Sequence, residues 1–181
     1  MIRYRHLSPL AALAVVAATL ASPAAAADRA AFATDLMEEA RAQASDLQNT
    51  AARLEALGRS KHSGPMSHTW ALNDICDDVN ELGSILSILD QIRPETTGRQ
   101  QQAIADARPR IEALAARTTR AIELKKANSA NRLFPEYRGA IRSIYENAAE
   151  LDRMLGTVIE DKRASARIAA VPPAVAGVVA Q

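Results

Sequence analysis

Four side chains in the first half of the sequence have the types that take soft metal ions: His62, Met66, His68 and Cys76. Imidazole, thioether and thiolate suit copper or zinc. His68 and Cys76 lie eight residues apart, about two helical turns, so a helix could put both on one face. The plainer reading is a loop and first helical turn that contain two histidines, with Cys76 a small residue at the core edge. A second cluster is acidic: Asp74, Asp77, Asp78 and Glu81. Steps of three and four put most of it on one helical face, opposite Leu72, Ile75, Val79 and Leu82. It could meet calcium or a basic partner, but the favoured reading is a solvated face near a helix start, where negative charge suits the dipole. A third group is aromatic. Trp70, Phe134 and Tyr137 fall near the starts of two segments and would gather at one end of alternating helices. They are candidates for partner binding, or for an end plug of the core, which is the favoured reading.

Other chemistries lack their residues. Covalent haem needs Cys-x-x-Cys-His, and the chain has one cysteine. A di-iron bundle needs Glu-x-x-His pairs, whereas Arg59 precedes His62 by three and Pro65 precedes His68 by three. No glycine-rich phosphate loop, zinc-protease motif or nucleophile elbow occurs. The expectation is a chain with no cofactor and no enzymatic activity. The 22 basic and 21 acidic residues give no global pull on nucleic acid.

The N-terminus has the pattern of an export signal. Arg3 and Arg5 precede an apolar run from Leu10 to Leu20, and Ser22-Pro23-Ala24-Ala25-Ala26-Ala27 offers small residues for cleavage after Ala26 or Ala27. Eleven apolar residues reach about 16 Å as a helix, against a hydrocarbon core of about 30 Å. The expectation is a signal peptide over 1–27, no transmembrane anchor after its removal, and a periplasmic or secreted chain. The remainder would carry 20 basic and 21 acidic residues. In an oxidising compartment Cys76 has no partner within the chain, so a disulfide-linked homodimer is conceivable.

The elements that must position these groups are read from apolar spacing, which is helical almost throughout. Over 29–57 the seam is Ala33, Met37, Ala40, Ala44, Leu47, Ala51 and Leu54, with Gly58 as a stop. Over 65–93 it is Leu72, Ile75, Val79, Leu82, Leu86 and Leu89, widened by Ile85, Ile88 and Ile92 and ended by Pro94. Over 97–128 it is Ile104, Ala107, Ile111, Leu114, Thr118, Ala121 and Ile122, with a kink expected at Pro109 because the apolar phase continues across it. Over 133–167 it is Tyr137, Ile141, Ile144, Ala148, Leu151, Leu155 and Val158. Short links predict an all-α, antiparallel up-down-up-down four-helix bundle over 28–167 with coiled-coil-like packing and a narrow, dry interior. The uncharged stretch over 168–181 reads as a flexible apolar tail.

Ser67-His68-Thr69-Trp70-Ala71-Leu72-Asn73 with Asp77-Asp78-Val79-Asn80, Gln100-Gln101-Gln102-Ala103-Ile104, and Asn131-Arg132-Leu133-Phe134-Pro135-Glu136-Tyr137-Arg138 resemble segments of an uncharacterised group of secreted bacterial all-helical proteins with no assigned activity. The resemblance implies export and an all-helical fold, and implies no site. In general build the chain is also similar to helical periplasmic chaperones, without the Leu-Thr-x-x-Gln repeats of one such group. The function expected is that of an exported, non-enzymatic bundle acting by surface contacts, as a scaffold, an envelope-associated binding module or a stress protein. The alternative is a small periplasmic soft-metal-binding protein using His62, Met66, His68 and Cys76.

Overall fold

Apolar side chains at steps of three and four leave a helix with a greasy stripe, and four such helices form here. The computed structural model describes residues 23–59, 65–127 and 135–169. Among them are α1 (Pro23–Arg59), α2 (Pro65–Ile92), α3 (Gly98–Ala127) and α4 (Pro135–Ala169), with one 3-10 turn at Arg93–Glu95 and no strand. His62, Phe134, most of the expected export signal and nearly all of the expected tail lie outside the described residues. No described helix is long and apolar enough to cross a membrane.

The stripes meet in one core. Every residue of the α1 seam, from Ala33 to Leu54, is buried, as are the six seam residues of α2 from Leu72 to Leu89. In α3 and α4 the seams are buried too, except that Ile122 and Val158 sit at the edge of the core and Ile159 takes the inner position. One apolar expectation fails: Ile88 is 40% exposed, because Ile85 and Ile92 already fill the inner face of that end of α2. The alanines of α1 let a neighbour approach closely, and α1 packs most extensively on α4.

Charged pairs lace the outside and fix the sense of each helix. Between α1 and α4, Arg163 meets Glu38 at 2.8 Å, Arg41 meets Asp152 at 3.0 Å and Arg142 meets Glu55 at 3.1 Å. Between α3 and α4, Arg99 meets Asp161 and Arg110 meets Glu150 at 2.8 Å. Between α2 and α3, Arg108 meets Asp90 and Lys125 meets Thr69. In each set one residue number rises as the other falls, so these neighbours run in opposite senses. Arg53 of α1 pairs with Asp74 of α2, and Arg29 with Glu95 beyond the end of α2, which gives the same sense for α1 and α2. Exposed pairs of this kind contribute about 0–1 kcal/mol each, so the lacing sets register more than stability.

Helix limits follow local chemistry. α1 begins at Pro23, earlier than the expected residue 29, because the alanines after it are the best helix formers and proline suits a first turn. It also runs past Gly58 to Arg59. α2 ends at Ile92 and tightens into a 3-10 turn around Pro94. α3 is continuous through Pro109. The proline faces solvent, and the Arg110 guanidinium donates to Asp106 O at 2.7 Å in the turn that the ring disturbs. Gly156 of α4 serves a close approach: a Cβ there would lie 2.9 Å from Arg41 Cζ.

Candidate functional site

Alternating helices bring the starts of α2 and α4 to the same end as the close of α3. There the aromatic group divides. Tyr137 is buried, and its hydroxyl lies 3.3 Å from His68 Nδ1 in a hydrogen bond whose direction follows the imidazole tautomer. The two rings are tilted at 50° with centroids 6.0 Å apart. Burial pushes the Tyr137 phenol up to about 12, so it keeps its proton at neutral pH. Lys125 of α3 donates to Thr69 Oγ1, and desolvation lowers its pKa. Tyr137 and His68 therefore plug this end. Trp70 does not: it is 62% exposed, contrary to the expected plug, and Met66 one turn before it is 60% exposed. The plug is filled by Tyr137 and His68, which leaves the indole outside.

Of the soft-metal candidates, His62 lies outside the described residues, and Met66, His68 and Cys76 are not brought together. Met66 and His68 are two residues apart on one helix, about 200° around its axis, and one is exposed while the other is buried. Cys76 lies about 12 Å further along the axis and is half-buried. Its thiol is pushed up by burial and by Asp77, which disfavours the thiolate that binds metal. Among the described residues no group of three or more histidine, cysteine or acidic side chains is placed to hold a metal ion.

In the acidic cluster, Asp74, Asp77 and Glu81 face solvent as expected, but Asp78 is half-buried at the boundary with α1. Desolvation, then the charges of Asp46, Asp74, Glu81 and Asp77, push its carboxyl up to about 6. The contribution of Asp46 from α1 was not visible in the spacing of α2.

The opposite end holds a site that the reading of the sequence missed. Thr97-Gly98-Arg99-Gln100 forms a capping box at the start of α3. Gln100 N–H donates to Thr97 Oγ1 at 3.3 Å, and Thr97 N–H and Oγ1–H donate to Gln100 Oε1 at 3.0 Å each. The buried Gln100 amide also donates to Ala30 O at 2.8 Å and Thr34 Oγ1 at 3.0 Å, tying α3 to α1. Lys162 of α4 donates to Ala30 O at 3.0 Å and to the same Thr34 hydroxyl. Beside this network is a groove of about 400 Å³ between α1, α3 and α4, with Met37, Val158 and Ile159 as apolar lining. The signal was available: threonine followed three residues later by glutamine, before an apolar run, marks a helix start.

No family model, curated protein or solved structure matches this chain. The class it defines is therefore structural: a four-helix bundle with a filled seam, one end closed by a His–Tyr pair beside an exposed indole, and one end tied by a glutamine.

Proposed function

We propose that this chain is an exported, non-enzymatic helical bundle that works through contacts on its surface, and that it meets an envelope partner with the end where α2 begins. One observation carries the reading. Met66 and Trp70, one turn apart, are both more than half exposed, while the apolar seam of each helix is spent on the core. Isolated exposed apolar residues such as Phe32 need no explanation, but an adjacent methionine and tryptophan make the kind of anchor that interfaces favour.

Export rests on the N-terminal pattern. Removal of 1–26 or 1–27 would trim the start of α1 and keep Ala33, the first buried side chain among the described residues, together with all of the core that follows it. The mass of the chain recovered from the periplasm or medium, starting at Ala27 or Asp28, would agree with this; a full-length chain kept in the cytoplasm would oppose it.

The contact reading is tested by a photo-crosslinking residue placed at position 70, and at Thr119 on the exposed side of α3 as the control. The expected result is one discrete adduct from position 70 in intact cells, reduced at least fivefold by Met66→Ser. Equal adducts from both positions, or none from position 70, would refute it.

A further inference from the structure

The groove between α1, α3 and α4 goes beyond a bundle that acts only by surface contact. We propose that it is a binding site for a small monoanionic amphiphile: a carboxylate carried on an apolar chain.

The charge balance of the groove selects the anion. Of its lining residues, Arg99 carries a positive charge already matched by Asp161. Lys162 is different. Its ammonium donates to two neutral oxygens, Ala30 O and Thr34 Oγ1, and meets no carboxylate among the described residues. An ammonium has three hydrogens, so two bonds leave one for a ligand oxygen. The lysine is held in place as well as charged. Thr34 and Ala30 O are both fixed by Gln100, which is buried and uses both its amide oxygen and its amide nitrogen. The groove thus offers one positive charge without a counter-ion, close to the first turn of a 30-residue helix whose dipole adds to it. One net positive charge fits a single carboxylate better than a phosphate dianion.

The remaining surface selects the body of the ligand. Met37 and Ile159 form a floor that water does not reach, and Val158 sits at the edge of the core beside them. A volume of about 400 Å³ lies in the range of small-molecule sites. A free ion would leave the partly exposed Val158 side of the groove uncovered, and a neutral hydrocarbon would leave the third hydrogen of Lys162 without an acceptor.

The test is calorimetric titration of the full chain with decanoate below its micelle concentration, with decan-1-ol as the uncharged match. Decanoate is expected to bind saturably at one site, and decan-1-ol at least tenfold more weakly. Lys162→Met should weaken decanoate about tenfold, which is about 1.4 kcal/mol, and leave decan-1-ol unchanged. Val158→Trp fills the groove and should remove both, with circular dichroism confirming the fold of each variant. The ε-methyl resonance of Met37 should shift during the titration while that of Met66, at the other end, stays still. Absence of saturable binding, equal binding of acid and alcohol, indifference to Lys162→Met, or a shift of Met66 alone would each overturn the proposal. So would a tenfold gain in affinity on changing Val178 and Val179 to Asp, since that result would make the chain's own end the occupant.

Discussion

Asp78 offers the sharpest quantitative test, because its charge is disfavoured by where the fold puts it. Its carboxyl rises from an ordinary 3.8 to about 6 through partial burial and the surrounding Asp46, Asp74, Glu81 and Asp77. Well below pH 3.8 the group is protonated in both the folded and unfolded chains and costs nothing. As pH rises toward 6 the unfolded chain ionises it freely and the folded chain resists, so stability from this group is lost through that window and stays lost above it. A displacement of this size corresponds to about 3 kcal/mol in a site closed to water. Asp78 is only half-buried, so solvent screening reduces the cost to about 1 kcal/mol. Asp78→Asn removes the charge and keeps the shape. It should raise the melting temperature by roughly 2–4 °C at pH 7.5 and change it little at pH 4. Thermal melts followed by circular dichroism at both pH values measure this. Added salt should shrink the gain by weakening the repulsion while leaving the part due to burial. An equal gain at both pH values, or a loss at pH 7.5, would refute the reasoning.

Four other outcomes follow from the packing. Leu82→Ala or Leu151→Ala, at positions with no exposed surface, should cost about 2–5 kcal/mol in urea unfolding. Gln100→Ala strips the buried amide that joins α3 to α1 and should cost about 1–3 kcal/mol by the same measurement. Gly156→Ala would gain about 1 kcal/mol of helix propensity in isolation, but its Cβ displaces the Arg41 guanidinium from Asp152. The gain should therefore appear in full only when Arg41 is also changed to Ala, which a double-mutant cycle reads directly. Trp70→Ser should leave stability within about 0.5 kcal/mol, since the indole is mostly exposed and lies outside the core.

The bundle was legible because burial in a helix follows a period of 3.6, and the seams from Ala33 to Leu155 kept it without interruption. The fate of single residues was less legible wherever two elements compete for one place. Ile88 and Ile92 both lie on the apolar side of α2, and only packing against the other helices decides that Ile92 goes in and Ile88 stays out. Trp70 and Tyr137 were both sent to one end by topology, yet only the Tyr137 ring fits beside His68. The rise of Asp78 needed Asp46 from another helix, and spacing along one helix carries no record of its neighbour. Lys162 and Thr34 are 128 residues apart, so their meeting follows from antiparallel register rather than from any motif. Gln100 was different: its capping box was written locally, and it also turned out to be the buried hub of the far end.

The open face at the start of α2 is most directly tested by the fluorescence of Trp70, the one tryptophan in the chain. An exposed indole predicts red-shifted emission typical of water, strong quenching by iodide, and a blue shift with protection when the envelope partner is added. Blue-shifted emission that iodide cannot quench in the isolated protein would contradict the account.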